Sequence, residues 1–154
     1  MALQIESGTK KKPIKAVFYG PEGCGKSTIG ASMPGALMVD TEDGTGYIDC
    51  KRTTATNWAD FSAATIELGR DQYDHKTIVF DTIDAAERML ADYVAEKHGK
   101  ESIENFGYGK GFVMVAESFN KFLKACDQIA LHANVVLICH STVKKFSPPD
   151  EADA

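Results

Sequence analysis

The chain has 154 residues, of which 44% are hydrophobic and 25% charged, and its formal net charge is −5. These values are typical of one folded domain and exclude global disorder and a strongly basic nucleic-acid coat. Its apolar runs are far shorter than the ~20 residues of a membrane span, and residues 1–13 lack the apolar core of a signal peptide. The four cysteines show no C-x-x-C spacing, which favours reduced thiols in a cytoplasm.

Short apolar segments alternate with amphipathic ones along the chain. Four strands are predicted, over residues 14–19, 36–40, 77–81 and 134–140. One helix begins within residues 20–28 and stops at Pro34, a second is capped by Asn57, a third covers residues 84–98, and a fourth follows the glycine-rich loop 99–111. This alternation predicts an α/β fold with a parallel sheet and helices on both faces.

Residues 20–27 read GPEGCGKS and fit the phosphate-loop pattern G-x-x-x-x-G-K-[ST] between a strand and a helix. Glycines permit the positive φ angles and close approach that backbone N–H groups need around a polyphosphate. Lys26 is expected to reach the β- and γ-phosphates, and Ser27 to bind Mg²⁺. The predicted nucleotide-binding residues are Gly20, Pro21, Glu22, Gly23, Cys24, Gly25, Lys26, Ser27 and Thr28.

Further polar residues stand at the carboxyl ends of the predicted strands, which is the edge where parallel sheets bind ligands. Asp81 closes its strand and is expected to hold Mg²⁺ in the manner of P-loop enzymes. Thr82 follows it, so the acid that many P-loop ATPases place there is absent. Glu42 is the expected water-activating residue, with Asp43 and Asp84 as alternatives. His140 ends the last strand and is expected to contact the γ-phosphate.

The motifs GPEGCGKST, VDTEDG, TIVFDT and VVLICH together resemble the core of RecA-like recombination ATPases. The similarity extends to phage-encoded, RecA-like nucleotide-binding proteins linked to single-strand DNA annealing, through GYGKGF and AESFNKFL. It covers about residues 14–145. The resemblance implies a RecA-like P-loop NTPase fold, with Asp81 beside magnesium, Glu42 polarising the water and His140 sensing the γ-phosphate.

RecA-like proteins also face DNA with two loops, which correspond here to residues 99–111 and the segment from Ser141. Basic and aromatic side chains in these loops suit the phosphates and exposed bases of a single strand. The resemblance thus implies DNA contacts at Lys100, Phe106, Tyr108, Lys110, Lys144 and Lys145. It also implies a homo-oligomeric ring or filament, in which a cation from the neighbouring protomer completes the site, and a single-strand-binding or annealing protein as a partner.

The resemblance implies the sheet order 5-1-4-3-2, in which the first strand is central. Only four strands are evident, so either residues 3–5 cover the first strand or the natural protein continues beyond Ala154. We expect the second. The expected organisation is one ATPase core over residues 1–154 that lacks C-terminal strands, with an N-terminal segment 1–13 and a flexible tail 146–154.

Three functions fit these residues. The leading one is a DNA-stimulated Mg-ATPase that acts on single-stranded DNA in recombination or annealing, in the cytoplasm of a host cell if the protein is phage-encoded. A small-molecule kinase and a non-hydrolysing nucleotide-binding adaptor are the alternatives. Kinases generally clamp the transferred phosphoryl group with several arginines. This chain has only Arg52, Arg70 and Arg88, and none lies in an obvious lid.

Overall fold

The computed structural model describes residue 5, residues 7–70 and residues 74–142. Their strands are β1 Lys15–Gly20, β2 Ala36–Asp40, β3 Lys51–Thr54, β4 Thr77–Asp81 and β5 Asn134–His140. Their α-helices are α1 Lys26–Ala31, α2 Trp58–Leu68, α3 Ile83–Lys97 and α4 Lys110–Ile129. None of the helices in this part of the chain combines the length and apolar character needed to cross a bilayer.

The five strands form one parallel sheet in the order β1-β5-β4-β2-β3. This arrangement confirms the predicted α/β P-loop NTPase fold and the order of the four predicted strands. β4 lies at the centre, and all five of its residues are buried. Burial on both faces explains why TIVF is a continuous apolar run rather than an alternating one.

Helices cover both faces of the sheet, as predicted. On one face, α2 and α4 pack on β4 through Phe61, Phe80 and Phe122, whose ring centroids lie 5.1–5.5 Å apart. On the other face, α1 lies over Val79 and Ile138. A Cβ at Gly30 would come within 2.9 Å of Val79 Cγ1, so glycine allows α1 to approach the sheet this closely.

The prediction of four strands was wrong, because β3 is a fifth strand that the sequence pattern did not reveal. It has the sequence KRTT and, among the described strands, pairs only with β2, at the edge of the sheet. Three of its four residues are exposed. A solvent-exposed edge strand needs no apolar residues, so it carries no hydrophobic period by which to recognise it.

The expected central position of β1 is not found among the described residues. β1 is the other edge of the sheet there, and Val17 and Tyr19 are 56% and 76% exposed. The sequence also allowed residues 3–5 to cover β1. Of these residues the structure describes only Ile5, which is 85% exposed. The expected tail 146–154 lies outside the described residues.

Candidate functional site

The carboxyl ends of β2, β4 and β5 and the loop after β1 meet at one cavity of about 300 Å³. In the register of the sheet, Asp40 pairs with Asp81 across β2 and β4, and Gly20 pairs with His140 across β1 and β5. Successive side chains along a strand point to opposite faces of the sheet. Asp81 lies two residues after Val79, so Asp81 and its neighbour Asp40 are on the face of the sheet that α1 covers. The cavity is lined by Glu22, Gly23, Gly25, Lys26, Ser27, Thr28, Asp40, Glu42, Gly44, Thr45, Asp81, Thr82, Ile138 and His140.

The glycine-rich loop joins β1 to α1 in the conformation that its sequence predicts. Gly23 and Gly25 have φ angles of 75° and 90°, in the left-handed region that favours glycine. Lys26 begins α1 and is buried, and its ammonium donates hydrogen bonds to the carbonyls of Gly20 at 2.9 Å and Pro21 at 2.8 Å. These bonds hold the lysine over the loop that is expected to surround a phosphate.

Ser27 and Asp81 both line the cavity, and the serine hydroxyl lies close enough to the carboxylate to affect its pKa. Burial raises the pKa of Asp81 above its ordinary value. The negative charges of Asp40 and Glu42 also raise this pKa, while the nearby Ser27 hydroxyl and His140 oppose the rise. The carboxylate is therefore in a position where a cation would be favourable.

Asp40 shapes the loop that carries Glu42. Its Oδ1 accepts hydrogen bonds from the amides of Glu42 and Gly44, and its Oδ2 accepts from both the amide and the hydroxyl of Thr45, at 2.5–3.2 Å. Burial by itself would raise the pKa of Asp40, but these hydrogen bonds outweigh burial and lower it. Asp40 is thus an ionised carboxylate that organises residues 41–45.

Glu42 lies at the mouth of the cavity, with a donor on each carboxylate oxygen. Oε2 accepts from the Thr82 hydroxyl at 2.9 Å, and Oε1 accepts from Arg88 Nη2 at 2.9 Å. Thr82 lies between β4 and α3 and caps that helix, because its hydroxyl also accepts from the amide of Ala85 at 3.3 Å. Glu42 is therefore connected to the β4–α3 junction through Thr82 and to α3 itself through Arg88.

The other two expected acids have different positions. Asp84 lies in the first turn of α3, and its Oδ2 accepts from the backbone amide of His140 at 2.7 Å. Asp43 is exposed with a φ of 54° and is not among the residues that line the cavity. Among the three carboxylates that the sequence left open, Glu42 is the one that lines the cavity.

Residues 12–153 match the AAA domain family (AAA_24), which is most of the chain. The chain belongs to this AAA domain family. The match identifies a nucleotide-binding P-loop NTPase, in agreement with the loop geometry and the parallel sheet. A comparison with curated proteins finds no significant match.

The described members of the expected DNA-contacting set are not among the residues that line the cavity of this AAA domain. Phe106 is partly buried against Leu90 and Val94, and its ring lies 5.4 Å from that of His98. Tyr108 is fully exposed, with a φ of 58°, in a 3-10 turn over Gly107–Gly109. The remaining residues of this set are Lys100 and Lys110, which are exposed, and Lys144 and Lys145, which lie outside the described residues.

Sequence reasoning missed three contributors to the site: Asp40 as a loop organiser, Thr82 and Arg88. The capping role of Thr82 could have been predicted from the sequence, since a threonine between a strand and a helix is a common N-cap. The sequence also provided no indication that Arg88 bonds to Glu42. No local pattern connects residues 46 positions apart in the chain.

Proposed function

We propose that this AAA domain is a magnesium-dependent ATPase that acts on single-stranded DNA in recombination or annealing. The observation that carries the hydrolytic part is the cavity shared by Lys26, Ser27, Asp81 and Glu42. Lys26 supplies a positive charge for the phosphates, and Ser27 and Asp81 supply oxygen ligands for a metal. Glu42 supplies a carboxylate that could accept a proton from water. These are the parts that phosphoryl transfer to water requires.

The residues present fit Mg²⁺. The Ser27 hydroxyl and the Asp81 carboxylate line the same cavity, and oxygen atoms of this kind are the ligands that magnesium prefers alongside phosphates. When bound, the ion would neutralise charge on the phosphates. Ser27 and Asp81 would hold it, and Glu42 would accept a proton from the attacking water.

The arginines favour hydrolysis over a kinase reaction. Within the described residues, none of the three lines the cavity. Arg52 donates to the carbonyl of Ile48, Arg70 pairs with Glu67, and Arg88 pairs with Glu42. Kinases that clamp a transferred phosphoryl group use arginines directed at it.

The DNA part of the proposal is supported by the form of the loop between α3 and α4. Phe106 and Ile103 anchor this loop in a cluster with Leu90 and Val115, and Tyr108 remains in solvent. A non-glycine residue in the left-handed region often marks a functional position. Tyr108 would stack on a base, and Lys100 and Lys110 would contact the phosphates.

The proposed setting is the cytoplasm of a host cell, with the protein encoded by a phage. The motifs shared with phage RecA-like proteins support this setting, as does the absence of disulfides among the four cysteines. Single-strand-binding or annealing proteins would act on the same DNA and are the proposed partners.

A turnover assay tests the proposal and separates it from its alternatives. Purified protein is incubated with ATP and Mg²⁺, with and without a single-stranded oligonucleotide, and the released phosphate is measured. We expect release that stops with EDTA, increases with the oligonucleotide and is nearly lost in Lys26→Ala. A phosphorylated small-molecule product would indicate a kinase, and ATP binding without phosphate release would indicate an adaptor.

A second assay tests the DNA loop by itself. The triple variant Lys100→Ala/Tyr108→Ala/Lys110→Ala should lose oligonucleotide binding, measured by fluorescence anisotropy, and keep its unstimulated ATP turnover. Lys124→Ala is the matched control, since Lys124 is an exposed lysine farther along α4. Equal binding by the triple variant and the control would exclude this loop as the DNA site.

A further inference from the structure

Arg88 forms an ion pair with Glu42 at the surface of the protein. The side chains of Arg88 and Glu42 are 65% and 42% exposed, and exposed pairs of this kind contribute little to folding stability. The pair nevertheless joins α3 to the loop after β2, at the mouth of the nucleotide cavity. An effect of Arg88 on the protein is therefore to be sought in the placement of Glu42.

The two donors to Glu42 differ in what they constrain. Thr82 binds Oε2 and is itself fixed, because its amide donates to the Thr41 hydroxyl at 2.7 Å. A single hydrogen bond leaves the carboxylate free to rotate about it. The contact from Arg88 to Oε1 removes this freedom, so the plane of the carboxylate is set by Thr82 and Arg88 together.

Both contacts are compatible with a reaction at Glu42. A carboxylate has about four lone-pair positions on its two oxygens, so each oxygen retains one when it accepts a single hydrogen bond. Glu42 can therefore accept a proton from water while Thr82 and Arg88 hold it. Correct placement matters greatly here, since a shift of about 1 Å in a reacting group can lower a rate by roughly 100-fold.

We propose that Arg88 is a positioning residue that keeps the Glu42 carboxylate directed at the nucleotide cavity. The proposal rests on the proposed ATPase function and deepens it. Arg88 does not line the cavity and would not contact the nucleotide. It acts on the chemical step through Glu42, and nucleotide binding by Lys26 and Ser27 is independent of it.

Kinetics of three variants test this role. Arg88→Ala should lower kcat for ATP by roughly 10- to 100-fold with KM unchanged. Arg88→Lys should recover part of the rate, since an ammonium can still donate to Oε1. Arg70→Ala is the matched control, because Arg70 is 58% exposed and pairs with Glu67 at 2.7 Å on another part of the surface. It should behave as wild type.

A double variant and a crystal structure complete the test. Arg88→Ala should cause no further loss in a Glu42→Gln background, because both changes affect one function. In crystals with a non-hydrolysable ATP analogue, the Glu42 carboxylate should face the cavity in the wild type and leave it in Arg88→Ala. The proposal is overturned if kcat of Arg88→Ala stays within twofold of wild type, or if Glu42 keeps its place.

The two proposals can fail separately. If the wild type releases no phosphate, the proposed ATPase function fails. The crystal structures still decide whether Arg88 positions Glu42, since they require nucleotide binding and no turnover. If the wild type hydrolyses ATP and Arg88→Ala hydrolyses it equally well, the ATPase function stands and the role of Arg88 is excluded.

Discussion

Asp84 Oδ2 accepts a hydrogen bond from the backbone amide of His140 at 2.7 Å, and it lies 3.5 Å from Nδ1 of the same residue. This relationship joins the first turn of α3 to the end of β5, which enters the cavity through His140. Asp84 thereby holds the backbone of His140, the expected γ-phosphate contact, and lies beside its ring. The carboxylate has a structural task, which distinguishes it from Glu42.

We expect Glu42→Gln to bind ATP and to hydrolyse it at least ~100-fold more slowly, because an amide cannot accept the proton of the attacking water. Asp84→Asn should be far less impaired, since its amide oxygen can still accept from His140. The measurement is single-turnover phosphate release by both variants. A severe defect in Asp84→Asn with a normal rate in Glu42→Gln would show that Asp84 is the active carboxylate.

Asp40 should make stability depend on pH. Its pKa is lowered in the folded protein, so its contribution is present above the unfolded pKa and is lost as the pH falls through the folded one. At pH 7, Asp40→Asn should lower the free energy of unfolding by about 1–3 kcal/mol, because an amide cannot replace all four hydrogen bonds. The deficit should shrink in urea titrations at progressively lower pH.

The control for this experiment is Asp43→Asn in the same loop. Asp43 is exposed, and asparagine tolerates the left-handed region as well as aspartate does, so this variant should match wild type at every pH. An Asp40→Asn deficit that remains constant between pH 7 and pH 3 would contradict the assignment of a low pKa to Asp40.

Asp81 should show the opposite behaviour. Its folded-state pKa is raised, so stability is full below the unfolded pKa and is lost as the pH rises through the folded one. Without nucleotide, Asp81→Asn should therefore have a higher Tm than wild type at pH 7, and the difference should disappear at low pH. The same variant should lose the effect of Mg²⁺ on ATP affinity.

Scanning calorimetry of the ligand-free proteins, with ATP titrations at several Mg²⁺ concentrations, checks both expectations for Asp81. Asp92→Asn, at an exposed position of α3, is the control and should change neither property. A lower Tm for Asp81→Asn in the absence of ligand would mean that its buried carboxylate stabilises the fold rather than serving a cation.

ATP turnover should depend on assembly. Effective phosphoryl transfer usually requires a positive side chain beside the γ-phosphate in addition to the loop lysine. Among the described residues that line the cavity, Lys26 is the only lysine or arginine. A cation from a neighbouring protomer would complete the site, and head-to-tail contacts of that kind form rings or filaments.

The rate per protomer should therefore rise with protein concentration, and single-stranded DNA should shift this rise to lower concentrations. Specific activity is measured across the range in which sedimentation shows monomers and larger species. A rate that remains high and constant where the protein is monomeric would exclude the need for a neighbour.

The sequence by itself determined the parallel sheet, the phosphate loop and the strand ends at the cavity. These features depend on local patterns: apolar runs, glycines at fixed spacing and polar residues that terminate strands. Lys26, Ser27, Asp81, Glu42 and His140 all line the cavity for this reason. β3 escaped prediction because an exposed edge strand is defined by its pairing with β2 and not by its own residues.

Only the tertiary structure decided which side chains act on one another. Arg88 meets Glu42 because α3 leaves β4 next to the loop after β2, and 46 residues of chain separate the two groups. Phe106 and Tyr108 are aromatic residues two positions apart, yet one packs beside His98 and the other is fully exposed. Strand pairing and helix orientation set such contacts, and both arise from packing over the whole chain rather than from local sequence.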